Sequence, residues 1–314
     1  MSEAVPILLF ALFAAVLPGF FEGYELYRVT LAGVYAIAIM GLVLLIGLSG
    51  QFSIGHSAFF ALGAYAMAIG TTEYGINAYG ALIIAAMVGI IAGILVGIPA
   101  RRLGFVHLAL VTWGVALAVP QLLKSSYLEA WTRGVQGIYL DRPPPPALLP
   151  VSDDVWWYWV TLAVLLGLLV LGLNLSHSRS ARALRALKDS PIAAQSLGIN
   201  AALYKPLIFG VSAGYAAVAG ALAALLSDFV APDAYGVFFS IALLVGTVAG
   251  GVASVWGAIP GGLLIQYLPD LASDASAALS LPAYGLILIV LMYMLPDGVV
   301  GVARRIYSMW EERR

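Results

Sequence analysis

The chain has little charge and no cysteine. Of its 314 residues, 10% are Asp, Glu, Lys or Arg and 62% are hydrophobic. Soluble domains carry roughly 25% charged residues, so this chain could not cover a surface that faces water, and most of it must face lipid. The absence of cysteine excludes disulfides, thiolate metal sites and a cysteine nucleophile. A net charge of −1 leaves no basic surface for nucleic acid.

Long uncharged stretches dominate the chain. Eight of them reach eighteen residues or more: 4–21, 29–72, 74–100, 103–123, 155–178, 206–227, 234–269 and 275–296. One crossing of a bilayer needs about 20 apolar residues, so 29–72 and 234–269 can each hold two. Small and polar residues divide these two stretches at 48–51 and at 250–254. The sequence therefore predicts an all-α, polytopic membrane helical bundle of about ten transmembrane segments, with 1–314 forming one domain.

The basic residues are distributed unequally between the two sides of such a bundle. Ten crossings place both termini on one side, which then carries eleven basic residues: Arg101, Arg102, Arg179, Arg182, Arg185, Lys188, Lys205, Arg304, Arg305, Arg313 and Arg314. The other side carries four: Arg28, Lys124, Arg133 and Arg142. Because basic residues accumulate in cytoplasmic loops, both termini and the 175–206 loop are predicted to be cytoplasmic. The 124–155 loop is then external.

The 124–155 loop ends in four prolines at 143–146, a stiff extended run. Aromatic residues follow at 156–159, and such residues commonly anchor a helix end at the level of the lipid headgroups. We therefore expect Trp156, Trp157, Tyr158 and Trp159 to form an interfacial belt rather than a ligand-binding site.

The 175–206 loop has a helical pattern. Arg182 and Arg185 are three residues apart, as are Leu184 and Leu187, which gives one basic face and one apolar face. Ser190 and Pro191 suit the N-cap and first position of a second short helix, and Gly198 suits its left-handed end. Two interpretations remain open from this segment alone: an amphipathic helix lying on anionic lipid, or a docking surface for a cytoplasmic partner.

Three stretches resemble the branched-chain amino-acid ABC transporter permeases of the LivM type. The run RALRALKDSPIAAQSLGIN at 182–200 is similar to the loop by which such permeases dock on their ATP-binding subunits. The run LSGQFSIGHSAFFALGAY at 48–65 resembles a second signature of the family. A third is matched by these residues: Ser240, Ile241, Gly250, Gly251, Ser254, Trp256, Gly257 and Gly261. The run TRGVQGI at 132–138 resembles an external pattern, except that Arg133 stands where glycine is usual.

The resemblance implies a permease domain with a coupling loop at 175–206. In that loop it assigns ATPase coupling to four residues: Asp189, Ala193, Ala194 and Gly198. It also implies partners, namely cytoplasmic ATP-binding subunits, a second homologous permease subunit and a substrate-binding protein. No cofactor is expected on this chain, since ATP with Mg²⁺ would sit on the partner subunits and the sequence has no phosphate-binding Gly-Lys-Ser/Thr motif. The expected location is a bacterial inner membrane.

Polar residues inside the predicted spans are the candidates for a translocation path. They cluster at the two predicted breaks: Gln51, Ser53, His56, Thr247, Gly250, Gly251 and Trp256. Paired interruptions in two halves of a transporter point to a path between them. The alternative is that the breaks are helix kinks packed against neighbouring helices, with His56 a hydrogen-bonded interior residue. Most glycines within spans are expected to be packing positions.

Two other functions are weighed against an importer subunit. An ion-coupled secondary transporter or channel, for example for urea, usually needs a charged residue in the membrane. The uncharged stretches contain none, and only His56 and His107 could titrate there. An intramembrane enzyme would need a nucleophile with a base or paired carboxylates, and neither is found in the spans. The sequence does not distinguish among branched-chain amino acids, urea, amides and aromatic acids.

Overall fold

A computed structural model describes residues 4–100, 104–146 and 150–275, with residues 290, 293 and 298–301. The longer helices are α1 (Ala4–Val16), α2 (Gly23–Ser49), α3 (His56–Thr72), α4 (Ala78–Ala100), α5 (Phe105–Leu123), α7 (Asp153–His177), α10 (Ala201–Ser227), α11 (Val237–Gly250) and α12 (Ala258–Ala275). Three shorter helices lie in the loops: α6 (Glu129–Thr132), α8 (Arg179–Asp189) and α9 (Pro191–Ser196). The predicted all-α bundle is confirmed.

Helices α2 and α10 form the centre of the bundle, where they pack against each other and against α3, α4, α7 and α12. Residues 36–45 of α2 are buried without a gap, and α10 is buried along most of its length. A helix that is apolar on all sides must be covered either by other helices or by lipid, and α2 and α10 are covered by other helices. The outer helices α1, α4 and α5 instead expose large apolar side chains, such as Leu9, Ile83 and Leu117, as expected of surfaces that face lipid.

Five of the described helices are long and apolar enough to cross a membrane: Gly23–Ser49, Ala78–Pro99, Val106–Leu123, Asp153–His177 and Ala201–Ser227. The apolar helices Ala4–Gly19 and Val237–Gly250 are shorter. The last predicted segment, 275–296, lies almost entirely outside the described residues. The count of ten crossings and the side of the termini therefore stay predictions.

Both predicted helix breaks are confirmed. Helix α2 ends at Ser49, Gly50 adopts a left-handed conformation with φ 66°, and α3 begins at His56. Helix α11 ends at Gly250, Gly251 has φ 117°, and a 3₁₀ turn (Val255–Gly257) precedes α12. We call residues 50–55 the first break and residues 251–257 the second break. Both glycines have positive φ, a region in which a side chain would be strained.

The predicted packing role of glycine is confirmed where α4 crosses α10. A Cβ atom added to Gly93 would lie 2.8 Å from the Cα atom of Gly210, and one added to Gly97 would lie 2.8 Å from the Cα atom of Pro206. Gly89 likewise faces Gly214. Glycine spaced every four residues thus lets the two helix backbones approach closely in lipid, where van der Waals contact is the main attraction between helices.

Helix α10 spans the bundle from one loop to the other. It begins at Ala201, within the 175–206 loop, and strand β2 (Phe229–Val230) just beyond its last residue pairs antiparallel with β1 (Ile138–Tyr139) of the 124–155 loop. Its 27 residues correspond to about 40 Å. The two loops therefore lie at opposite ends of the bundle.

The 124–155 loop is held at its end of the bundle by Arg142. Its guanidinium donates to both carboxylate oxygens of Asp228, at 3.2 and 3.0 Å, and to Asp154 Oδ1 at 3.0 Å. Burial acts to lower the pKa of Arg142, but the hydrogen bonds and negative charges of Asp228 and Asp154 outweigh it and raise that pKa. The loop is thereby joined to the end of α10 and the start of α7.

Arg133 accounts for one departure of this loop from the family pattern. Arg133 adopts the left-handed conformation with φ 55°, which accounts for glycine being usual at this position, and its guanidinium donates to Glu73 Oε1 at 3.2 Å. The interfacial belt is wrong for Trp157 and Tyr158. The Trp157 ring is fully buried between protein groups: Tyr79 stacks on it, and its Nε1 donates to the carbonyl oxygen of Pro143 at 3.1 Å. Tyr158 is 4% exposed, and its hydroxyl donates to the Ala14 carbonyl of α1.

Candidate functional site

The 175–206 loop contains two helices in series. Helix α8 begins after Ser178, whose hydroxyl accepts the Ala181 backbone N–H at 3.1 Å. The apolar face of α8 is buried against the bundle, where Leu184 and Leu187 are 2% and 1% exposed. This face is therefore covered by protein, which removes the interpretation that it lies on anionic lipid.

Helix α9 spans Pro191–Ser196, and the predicted left-handed stop follows it at Gly198, which has φ 85°. The Ile199 N–H donates to the Ala194 carbonyl and the Gly198 N–H to the Gln195 carbonyl, which is the Schellman pattern that closes a helix firmly. Ser190 was expected to cap α9, but its side chain makes no capping hydrogen bond. Its backbone N–H instead donates to the Ala186 carbonyl and so continues the end of α8.

The outer surface of α9 is apolar. Ile192 is 82% exposed and Leu197 is 83% exposed, whereas Ala194 is 2% exposed and points inward. Asp189, Ala193 and Gly198 are exposed around them. The resemblance assigned coupling to Ala194 rather than to Ile192 or Leu197; we call this exposed pair the docking knob, after the role proposed for it below. Ala194 and Leu197 are three residues apart and would share a face in a regular helix, so helical spacing alone does not separate the inner position from the outer ones.

The basic residues of α8 contact the ends of two long helices. Arg182 donates to the His177 carbonyl at 3.3 Å, and Arg185 donates to the Ser176 carbonyl at 2.9 Å, both at the end of α7. Lys188 Nζ donates to the Gly47 carbonyl near the end of α2 at 3.2 Å. The last carbonyl groups of a helix have no partner within it and carry partial negative charge, so these cations stabilise the helix ends.

The first break is joined to the bundle by a chain of hydrogen bonds around His56. Ser53 Oγ lies 3.0 Å from His56 Nδ1, and His56 Nε2 lies 2.7 Å from Ser212 Oγ in α10. Ser212 Oγ in turn donates to the Gly41 carbonyl in α2 at 2.7 Å. With that proton committed, Ser212 accepts from His56 Nε2–H, and His56 Nδ1 accepts from Ser53. His56 is thus a neutral ring with both nitrogens satisfied.

A second polar pair fixes the start of α3. The Ser57 backbone N–H donates to Ser240 Oγ in α11 at 2.8 Å, and Ser240 Oγ donates to Ser57 Oγ at 2.7 Å. Ser212 and Ser240 are fully buried and were not among the predicted path residues, although Ser240 belongs to the third stretch that resembles the family. Their partners are 156 and 183 residues away along the chain, so no local pattern could show these contacts.

Gln51 differs from the other polar residues of the first break because part of it is unsatisfied. Ser49 Oγ lies 3.1 Å from Gln51 Oε1 but shares its one proton with the Leu45 carbonyl at 2.7 Å, while Gln51 Nε2 is buried without a hydrogen-bond partner. Gln51 is 5% exposed. A buried donor without an acceptor costs about 1–3 kcal/mol. A conformation in which water or a solute reaches Gln51 would remove this cost.

The second break lies beside the first. A Cβ atom on Gly47, one turn before the first break, would lie 2.8 Å from the Val252 carbonyl oxygen. Thr247 is fully buried and its hydroxyl donates to the Leu243 carbonyl at 2.7 Å. Gly250 packs against the backbone of Gly257. The structure therefore brings the predicted clusters together at the end of α2, where residues 47–50 adjoin both breaks.

The polar side chains at the two breaks are buried within this chain, which bears on whether the breaks line a translocation path. Ser53, His56 and Thr247 are each at most 1% exposed, and Trp256 is half-buried with its ring edge-on to Phe10. In the described ranges no group of three or more His, Asp or Glu side chains could hold a metal ion. The arrangement supplies hydrogen bonds and two stretches of backbone outside the α-helices rather than reactive groups.

Comparison with known proteins identifies relatives over most of the chain. Residues 26–295 match the family model described as branched-chain amino acid transport system, permease component. The chain is 30% identical over 301 residues to the high-affinity branched-chain amino acid transport system permease protein LivM of Escherichia coli, covering 88% of this chain and 69% of LivM. The corresponding permease protein BraD of Pseudomonas aeruginosa is 25% identical over 294 residues, covering 87% of this chain and 93% of BraD. No solved structure matches the chain significantly.

These matches cover α2 to α12, including both breaks and the 175–206 loop. The apolar helices place the chain in a membrane, which it crosses more than once. The chain therefore belongs to the family of permease components of branched-chain amino acid transport systems.

Proposed function

We propose that the chain is one permease subunit of an ATP-driven ABC importer in a bacterial inner membrane. The importer takes a branched-chain amino acid, or a similar small polar solute, from a substrate-binding protein. The observation that carries the proposal is the docking knob, in which Ile192 and Leu197 extend from a rigidly closed short helix at one end of the bundle. Exposed aliphatic side chains on a rigid helix suit a pocket on a partner protein.

The position of the knob supports the proposed partners. The knob lies at the end of the bundle with the basic 175–206 loop, and such loops are typically cytoplasmic, so the ATP-binding subunits would dock on that side. ATP and Mg²⁺ bind on those subunits. A second permease subunit completes the path, and the binding protein docks at the opposite end. An ion-coupled carrier is disfavoured, because His56 already has both ring nitrogens in hydrogen bonds and has no free position for a transported proton.

The assembled importer provides the test of function. The chain is purified with its native partners, and ATP hydrolysis is measured in proteoliposomes with the binding protein and with leucine, isoleucine, valine or urea. We expect a branched-chain amino acid to stimulate hydrolysis several-fold, and uptake to continue after the proton gradient is collapsed. Uptake that stops with the gradient, or that proceeds without ATP, would show that the proposal is wrong.

We further propose that the first break faces the path in another conformation, with Gln51 as the contact. A ligand shifts a conformational equilibrium only when it interacts differently with the two states, and the unsatisfied Nε2 of Gln51 provides such a difference. Ser53, His56, Thr247, Gly250, Gly251 and Trp256 would hold and hinge the two breaks around it.

Replacing Gln51 with leucine is expected to lower uptake about fivefold while membrane abundance is unchanged, since no satisfied donor is lost. The measurement is uptake of labelled leucine normalised to the amount of importer. Gln121→Leu is the matched control, because Gln121 lies on the exposed side of α5. Normal uptake by both variants would leave the first break with a packing role only.

A further inference from the structure

Lys188 connects the docking knob to both helix breaks. It is two residues before Ser190, the residue at which α8 passes into α9. Its ammonium reaches the Gly47 carbonyl at 3.2 Å. Its aliphatic stem lies over Gly50, where an added Cβ atom would be 3.1 Å from Lys188 Cγ. One side chain thus contacts the last turn of α2 at two points.

The last turn of α2 adjoins both breaks. Gly50 begins the first break, and Gly47 touches the Val252 carbonyl of the second break. The Gly47 carbonyl needs an outside donor because α2 ends two residues later, at Ser49, and the Gln51 N–H that would continue the helix lies beside Ser49 Oγ instead. Displacing Lys188 therefore changes the environment of residues 47–50 directly.

The other cations of α8 differ from Lys188 in their partners. Arg182 and Arg185 bind carbonyls of α7, only 5 and 9 residues away, so they hold α8 to the helix that precedes it. Lys188 binds a residue 141 positions away, on the central helix. Arg179, at the first position of α8, is exposed to solvent.

We infer that Lys188 is the positioning residue through which movement of α9 reaches the two breaks. The inference rests on the proposed function, since α9 is displaced only when ATP-binding subunits engage it. In one state Lys188 holds residues 47–50 in the sealed arrangement seen here. When α9 moves, the contact with Gly47 and Gly50 is altered, and the breaks are free to rearrange. Coupling then depends on a contact whose strength differs between two states.

The first test measures leucine transported per ATP hydrolysed by the complete importer in proteoliposomes. We expect Lys188→Ala to lower this ratio at least fivefold, and Lys188→Arg to keep it within twofold of the unmodified importer. Arg179→Ala is the matched control and should leave the ratio unchanged. Lys188 is solvent-exposed, so each variant should retain its melting temperature and its ATP-binding subunits.

Chemical rescue separates charge from packing. The chain has no cysteine, so Lys188→Cys introduces a single thiol on it. Treatment with 2-aminoethyl methanethiosulfonate forms a disulfide, releases methanesulfinate and restores an ammonium group. We expect this reagent, but not methyl methanethiosulfonate, to restore the ratio. The same treatment of the unmodified importer controls for cysteines on the partners.

A second readout does not depend on the substrate. Ile54→Cys places a reporter thiol in the partly exposed centre of the first break. Its reaction rate with a thiol reagent, followed by the mass shift of this chain, should change on addition of ATP and vanadate. Lys188→Ala should remove that change. If Lys188→Ala preserves both the ATP-dependent change and the transport ratio, the inference is overturned.

Failure of the proposed function has a different signature. An unmodified importer in which the reporter is insensitive to ATP and no ATP-binding subunit is retained would contradict the importer itself. An importer that assembles, responds to ATP and tolerates Lys188→Ala contradicts only the role of Lys188.

Discussion

Replacing both Ile192 and Leu197 with aspartate is expected to abolish uptake and to release the ATP-binding subunits from the permease. Each aliphatic side chain is more than four-fifths exposed here and would contribute about 1.5–3 kcal/mol when buried in a partner. Losing both, with a carboxylate in place of each, should weaken docking at least about a hundredfold. Retention of ATP-binding subunits through affinity purification measures the effect.

The fold of the double variant should survive. Leu197 is the C-cap of α9, but the bonds that close the helix there are made by backbone groups, which the substitution keeps. Exposed side chains of this kind tolerate substitution within about 0.5 kcal/mol, and an acidic residue at position 192, near the start of α9, is favourable to the helix. Tyr127→Asp is the matched control, since Tyr127 is 93% exposed at the other end of the bundle. It should keep the ATP-binding subunits. If the double aspartate variant also keeps them, the docking knob is not the contact surface.

Replacing Gly220 with alanine is expected to prevent stable folding, although the change adds one methyl group. A Cβ atom on Gly220 would lie 1.9 Å from the Phe60 carbonyl oxygen, and one on Gly63 would lie 1.9 Å from the Ala217 carbonyl oxygen. Carbon and oxygen atoms in contact are normally about 3.3 Å apart or more. Relief requires α3 and α10 to separate along a crossing that fixes His56 against Ser212.

Two effects of opposite sign act in this variant. Alanine favours a helix over glycine by about 1 kcal/mol, whereas overpacking a well-packed interior costs about 3 kcal/mol when backbone must move. The second is larger, so we expect loss of monodisperse protein after detergent extraction. Gly167→Ala in α7 is the control, because no atom lies within 4 Å of its added Cβ. That variant should melt at the same temperature or slightly higher.

Local signals explain what could be predicted from the sequence. Gly50 and Gly251 ended helices where expected because positive φ is a property of one residue. Pro191 and Gly198 likewise delimited α9 before any contact was known. The long uncharged stretches located the helices, because exclusion of charge from lipid acts on each residue separately.

Long-range pairing explains what could not be predicted. Serine is common in membrane helices, and nothing near Ser212 indicates that it bonds to His56. The inward direction of Ala194 depends on how α9 lies against α8, which alanine alone does not encode. In the sequence, Lys188 is one of several cations on an amphipathic helix, and nothing there indicates its hydrogen bond to the Gly47 carbonyl.

Helix α10 is one uninterrupted rod of 27 residues, attached at its first turn to the loop that carries α9 and at its last to the bidentate pair of Arg142 and Asp228. Because both ends of α10 are attached, a change in the position of one end can alter the other. If engagement of one end changes its tilt and so the affinity at the other, thermodynamic linkage requires the reverse effect to be equally large. A binding protein that docks on one face of the membrane would then change the affinity for ATP-binding subunits on the opposite face by the same factor, and in the same direction, as those subunits change the affinity for the binding protein.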